Sequence, residues 1–186
     1  MPKENQRVAI TKRLIKESLL ILLEKKHISK ISISELCQKA EINRTTFYRH
    51  YETPGDVLQE IALDQIGTFS EHSALENHMD NLKEFVAQLC EFLYQRKDIV
   101  KIFIRNYTEP DFMRISQMLS QRFLGSRTVL YKGKAVDHDT LQLFNAFFST
   151  GMYALISQWL TKDITKTPEE IADLICCSVS REFTFQ

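Results

Sequence analysis

The residues Asn43-Arg44-Thr45-Thr46-Phe47-Tyr48-Arg49-His50-Tyr51 combine two guanidinium groups, two threonine hydroxyls and two phenols within a few positions of one another. Stepping each residue by about 100° around a helix axis places Phe47 and Tyr51 together on one face. Thr45 and Arg49 then fall on the opposite face, flanked by Arg44 and Tyr48. A guanidinium held on an outward face can bridge guanine O6 and N7, and hydroxyls supplement it at base edges. Asn43, at the start of such a helix, suits phosphate oxygens, as do Ser32 and Ser34 at the start of the segment before it.

A face of that kind works only if the elements around it hold it rigidly. Apolar residues recur at helical rather than alternating spacing almost throughout. Ile15, Leu19 and Leu22, with Lys12, Arg13 and Lys16 on the polar side, predict a first helix over about residues 7–26. Ser32-Ile33-Ser34-Glu35 has the form of a capping box and predicts a second, short helix to about Ala40. After Glu41-Ile42, Asn43 is an N-cap for a third helix through Tyr51. Thr53-Pro54-Gly55-Asp56 opens a fourth, with Thr as cap and Pro in the first turn. A long helix followed by two short ones across a tight turn is the helix-turn-helix layout, whose second short helix lies in a DNA major groove.

Charge supports the same end of the chain. Lys plus Arg equals Asp plus Glu, 24 each, yet residues 1–55 hold eleven basic against six acidic residues. A basic head of net +5 on a body of net −5 suits contact with a polyanion.

Further along, Ser70–Asn77 is expected as a loop or helix break, followed by helices over about 80–96, 98–106, 110–124, 137–160 and 168–183. Tyr131-Lys132-Gly133-Lys134 is expected as a loop, and no strand is predicted. The fold class is therefore all-α, with a helix-turn-helix module over 1–55, a connecting fourth helix over about 54–69 and a larger helical domain over 70–186. With 44% hydrophobic residues and only 5 Gly and 4 Pro, the chain has the composition of a globular protein. The run Leu19–Leu23 is far short of the ~18 apolar residues that a membrane span needs. Met1–Gln6 shows no secretory pattern, and four cysteines without metal spacing are expected to be reduced thiols in a cytoplasm.

The stretch Ile31-Ser32-Ile33-Ser34-Glu35-Leu36-Cys37-Gln38-Lys39-Ala40-Glu41-Ile42-Asn43-Arg44-Thr45-Thr46-Phe47-Tyr48-Arg49-His50-Tyr51 resembles the DNA-binding module of the tetracycline-repressor (TetR) family. The likeness covers roughly residues 8–60, with Thr46–Tyr51 its most recognisable segment. The resemblance implies a homodimeric one-component regulator, most often a repressor, with an N-terminal helix-turn-helix and a larger ligand-binding and dimerisation domain. By position, Arg44, Thr45, Thr46, Tyr48 and Arg49 would meet bases or nearby backbone. Ser32, Tyr48 and His50 would meet phosphates. The chain departs from the family at Glu41, where Gly is usual, so a turn without a φ > 0 residue is expected. It departs again at Pro54, where a Lys often contacts phosphate.

In the larger domain, apolar residues from Leu141 to Leu160 cover more than one face, which implies burial on two sides. Gly151–Leu160 and Thr167–Ala172 resemble the C-terminal region of one TetR subgroup, which implies a four-helix dimer interface formed by the last two long helices. Met152, Leu155, Ile156, Trp159, Ile171, Ile175 and Val179 are the candidates for it. A ligand pocket among the middle helices would draw on Phe85, Leu89, Phe92, Phe103, Tyr107, Phe123, Phe144 and Phe148, each of which also suits a filled core. Asn106, Tyr107 and Asn145 are polar candidates beside it.

Asp137-His138-Asp139 fits a helix cap better than a metal site. His72 and His78, with Glu71 and Glu76, fit a solvated loop, and Cys176-Cys177 fits buried packing. No metal or other cofactor is expected. No phosphate loop or nucleophile elbow points to an enzyme. The expected function is a regulator that binds palindromic operator DNA as a homodimer and is released by a small molecule, with no membrane partner. The alternative is a co-regulator of the same build whose body binds a partner protein.

Overall fold

The computed structural model describes residues 2–72, 82–124, 129–162, 164–178 and 183–185. The chain divides into two compact units, Met1–Gly67 and Thr68–Gln186. Among the described residues, no helix is long and apolar enough to cross a membrane.

The first unit comprises α1 (Pro2–Lys25), a 3-10 turn (Ile28–Lys30), α2 (Ile33–Lys39), α3 (Arg44–Tyr48) and the start of α4 (Pro54–His72). Ile15, Leu19 and Leu23 of α1 are fully buried, as are Leu36, Phe47, Val57 and Leu58 of the elements that follow, with Ile61 nearly so. The stripe is thus completed by Leu23, while Leu22 is half-buried. Complete burial of Phe47 contributes roughly 2–3 kcal/mol. At the start of α4, Thr53 Oγ1 accepts from the Asp56 amide (3.2 Å). The Asp56 carboxylate in turn accepts from the amides of Thr53 (2.7 Å) and Glu52 (3.0 Å).

Three ion pairs tie α1 to α4. Glu60 accepts from Lys12 at 2.8 Å and from Lys16 at 2.7 Å, and Lys16 also reaches Asp64 at 2.6 Å. Partial burial works against the charged Glu60, but Lys12 and Lys16 outweigh it and bring its carboxyl down to about 2. Partial burial likewise opposes the Lys16 ammonium, and Asp64 and Glu60 outweigh it and hold its pKa above the usual lysine value.

The second unit contains α5 (Leu82–Gln95), α6 (Lys97–Asn106), α7 (Glu109–Leu124), α8 (His138–Thr161) and α9 (Pro168–Cys177). Its core joins Phe69 of α4, Phe85, Val86, Leu89, Cys90 and Phe92 of α5, Ile156, Trp159 and Leu160 of α8, and Ile171, Ala172 and Ile175 of α9. Asp137 caps α8 through the Thr140 amide (2.9 Å). Thr167 and Glu170 form a full capping box on α9. The indole of Trp159 donates to the Lys166 carbonyl (2.9 Å), which fixes the α8–α9 connection.

Two expectations are corrected here. The segment expected as a loop at residues 131–134 is the turn of a hairpin, β1 (Val129–Tyr131) and β2 (Lys134–Ala135). Lys132 (φ 52°) and Gly133 (φ 74°) supply the two left-handed positions that a tight two-residue hairpin requires. The last helix ends at Cys177 rather than near Phe183, and β3 (Phe183–Phe185) pairs antiparallel with β1, in the order β2-β1-β3. Phe-Thr-Phe favours extended backbone once a partner strand is available. Helices still dominate, and the fold is all-α apart from this small sheet. Cys177 is exposed and Cys176 half-buried, because neighbouring helical residues point about 100° apart and cannot both face one core.

Acid titration tests the α1–α4 clamp. The folded pKa of Glu60 lies below its unfolded value, so its stabilisation is present above pH ~5 and disappears as pH falls towards 2. Thermal melts of Glu60→Gln across that window are expected to show a flatter loss of stability than the unsubstituted chain. At pH 7 the variant is expected to be less stable by about 1–2 kcal/mol.

Candidate nucleic-acid interface

The site is built from the helix caps outward. Ser32 Oγ accepts from the Glu35 amide (3.2 Å) and starts α2. The Glu35 carboxylate engages Lys26 at 2.5 Å, so the expected capping box has its serine half, with the acid turned to a lysine. Ser34 lies exposed in the first turn of α2.

The turn that follows carries the main correction to the sequence reading. Glu41 itself takes the left-handed conformation (φ 54°). The Ile42 amide donates to the Cys37 carbonyl (3.0 Å) and the Glu41 amide to the Gln38 carbonyl (3.3 Å). That double closure is the Schellman motif, whose left-handed position is ordinarily Gly. The turn therefore keeps the usual backbone and bears a non-glycine strain of about 1–2 kcal/mol at Glu41.

Asn43 Oδ1 accepts from the Thr46 amide (2.7 Å) and launches α3. Phe47 and Tyr51 are buried, with ring centroids 5.9 Å apart. Partial burial, with Glu60 nearby, pushes the Tyr51 phenol above its ordinary range. With these two rings anchored, Arg44, Thr45 and Arg49 are exposed, and Tyr48 is 57% exposed. Thr46 and His50 are half-buried at the flanks. The structure thus brings Arg44, Thr45, Tyr48 and Arg49 onto one outward surface, with Asn43 and Ser32 serving as caps. Of the basic residues counted in the head, Lys12, Arg13, Lys16 and Lys26 are engaged by carboxylates. The charge offered to a polyanion is correspondingly smaller than the sequence total. Glu60, which draws off two of those lysines, escaped the sequence reading because it lies beyond the basic segment.

The larger unit redistributes the residues named for it. Phe85, Leu89 and Phe92 belong to its packed core. Phe103 leans on Tyr107 at 5.2 Å, and Phe144 stacks on Phe148 at 5.8 Å; all four are half-buried. Burial, with Asp111 nearby, pushes the Tyr107 phenol up. Phe123 is a position of α7 whose side chain lies outside the described residues, and Val179 lies outside them altogether. Ile156, Trp159, Ile171 and Ile175 are buried in the protomer's own core, so their surface is already covered within one chain. Met152 and Leu155 are half-buried. The large apolar side chains left outward on α8, among the described residues, are Leu143 (73% exposed) and Phe147 (75%), one turn apart, and α9 adds Leu174. Gly151, one turn beyond Phe147, has open space where a Cβ would stand. Burial holds the Cys90 thiol up at about 12, with a smaller contribution from Cys176, so it packs as an apolar group.

Comparison with known proteins agrees with this geometry. Residues 80–180 match the family profile described as a transcriptional regulator C-terminal region of the TetR type. The chain is 22% identical over 176 residues to the uncharacterized HTH-type transcriptional regulator YxbF of Bacillus subtilis (strain 168). That match takes in 90% of this chain and 44% of the relative, so the chain spans under half of that protein's length. A TetR transcriptional regulator from Streptococcus agalactiae 2603V has the same fold, with a TM-score of 0.73 at 18% identity over 96% of this chain and 98% of that one. Lin0861 from Listeria innocua gives a TM-score of 0.74 at 17% identity, over 93% and 91% of the two chains. With an N-terminal helix-turn-helix and a C-terminal unit that matches the family profile, the chain belongs to the TetR family of transcriptional regulators.

Proposed function

We propose that this protein is a repressor that binds a palindromic operator as a homodimer and releases it when a small molecule binds the C-terminal unit. The observation that carries the reading is the outward surface of α3. Arg44, Thr45, Tyr48 and Arg49 stand free while Phe47 and Tyr51 anchor the opposite side in the core. In a major groove, the two guanidinium groups match guanine O6 and N7, and the threonine matches a base edge or the thymine methyl. Ser32, Ser34, Asn43, Thr46 and His50 surround that surface and suit phosphate contacts that fix its register. Pro54 brings no cation to the start of α4, so the salt dependence is shallower by about one phosphate than with a lysine there.

One α3 reads only a few base pairs. Two copies about 34–36 Å apart read successive major grooves, which calls for a two-fold dimer. The outward face of α8 suits that dimer. Leu143, Phe147, Gly151 and Ala154 follow one another at single-turn spacing, all exposed, and Gly151 admits a close helix approach. Met152, Leu155 and Leu174 border it, while Ile156, Trp159, Ile171 and Ile175 support it from within. A ligand bound more tightly by a dimer geometry that misfits the half-site spacing would shift the population away from DNA.

Four outcomes are expected. Duplexes selected from a random pool by the purified chain carry a palindrome. Arg49→Ala and Thr45→Ala each lose about 1–3 kcal/mol on that duplex and relax their own base positions, read by fluorescence anisotropy. Phe147→Asp, on a side chain exposed in the single chain, leaves helix content unchanged but reduces the mass in sedimentation equilibrium from twice 21.8 kDa to once that value. Glu41→Gly relieves the left-handed strain and raises the melting temperature by about 2–4 °C. A fall in melting temperature would show that the glutamate contributes more than its backbone strain costs.

A further inference from the structure

The two halves of the C-terminal unit are packed with different chemistry. The α5–α9 half is joined by large apolar side chains, whereas its buried polar residues, Asn106, Ser116 and Ser149, sit on α6, α7 and α8. Among the described residues no charged side chain is buried. Three contacts between α7 and α8 succeed one another along an antiparallel seam. Phe112 meets Tyr153 at 4.3 Å, Thr150 Oγ1 donates to Met113 Sδ at 3.6 Å, and Ser116 Oγ donates to Ser149 Oγ at 2.7 Å. Ser116 and Ser149 are only 2% and 3% exposed. Their two hydroxyls carry two protons and make one hydrogen bond, so one proton is left without an acceptor among the described residues. A buried donor without a partner is uncommon in a native interior. One turn along α8 from Ser149, the half-buried Asn145 also has no hydrogen bond to any described residue, and Phe144 and Phe148 offer stacked rings beside it.

We infer that the Ser116–Ser149 pair is the polar anchor of the effector site, and that the effector is a neutral, flat, largely apolar molecule carrying a hydrogen-bond acceptor such as a carbonyl. The inference rests on the reading of this unit as the effector domain and deepens it. The unused hydroxyl proton selects an acceptor on the ligand. The half-buried rings of Phe144, Phe148 and Tyr153 select an aromatic body. The absence of any buried charge among the described residues selects against an ionised ligand, whose charge would be desolvated without a partner. The site lies on the α7–α8 side of the unit, away from Phe85, Leu89 and Phe92, which the core already encloses.

The test uses two naphthalene probes on the full chain, followed by fluorescence titration. One is neutral and bears a ketone, 6-propionyl-2-(dimethylamino)naphthalene; the other is the anionic 8-anilinonaphthalene-1-sulfonate. The ketone is expected to bind saturably and more tightly than the sulfonate. Thr161→Ala, on α8 but outside the α7–α8 seam, is expected to bind within about twofold of the unsubstituted chain. The Ser116→Ala/Ser149→Ala double variant is expected to bind about five- to tenfold more weakly, as befits one lost neutral hydrogen bond. Replacing both partners of a hydrogen bond with small apolar groups is nearly neutral for folding, and a thermal melt of each variant verifies it. Tighter binding of the sulfonate, unchanged ketone binding in a folded double variant, or no saturable ketone binding by the folded chain would overturn the proposal. Duplex selection by the unsubstituted chain is scored separately. If it recovers no motif, the regulatory reading fails while the ketone site stands; if it recovers one and the serine pair is inert, only the present inference fails.

Discussion

The left-handed turn at Glu41 fixes the direction in which the chain leaves α2, and the outward surface of α3 depends on it. The Ile42 and Glu41 amides close back onto Cys37 and Gln38, so α2 ends abruptly and Asn43 can cap the next helix at once. That geometry carries Phe47 into the core between α1 and α4 and leaves Arg44, Thr45, Tyr48 and Arg49 on the far side. A right-handed residue at position 41 would prolong α2 and rotate Phe47 out of register. The strain of a non-glycine residue there, about 1–2 kcal/mol, is of the size that two closing hydrogen bonds and one buried aromatic ring can offset.

The rest of the first unit reinforces that arrangement and tempers its charge. Glu60 and Asp64 hold Lys12 and Lys16 against α4, which stiffens the helix supporting Phe47 and removes two cations from the polyanion-facing total. The exposed basic side chains of this unit include Arg44 of α3 and Arg49 at its C-cap, with Arg7, Lys25, Lys30 and Lys39 on the elements before it. In the second unit a similar division holds between a tightly apolar α5–α9 half and an α7–α8 seam of hydroxyl, thioether and aromatic contacts. Seams with few large apolar contacts open at lower free energy than close-packed cores.

The parts that were legible in the sequence are those fixed by neighbours three or four residues away. Asn43, Thr53 and Asp137 each place a side-chain oxygen before an otherwise unpaired amide, and each caps a helix. The burial of Phe47 and Tyr51 follows from the 3.6-residue period in the same way. The left-handed Glu41 carries no local signal, because glutamate has no preference for that conformation and only the closing hydrogen bonds select it. The pairing of Phe183–Phe185 with Val129–Tyr131 spans more than fifty residues, although Lys132-Gly133 between short apolar runs is a usable hairpin signal. Within α8, apolar residues run nearly all round, so periodicity alone could not tell that Ile156 and Trp159 face the core while Leu143 and Phe147 face outward.

On the proposed function, the outward face of α3 lies in a major groove and reads guanine edges there. Methylation interference on a duplex selected by the unsubstituted chain tests it most directly, because methylation at guanine N7 projects into the major groove alone. The account predicts two clusters of interfering guanines about one helical turn apart, related by the two-fold axis of the site. Interference confined to phosphate ethylation or to adenine N3 in the minor groove would contradict it, leaving the basic head as an electrostatic contact without sequence reading through α3.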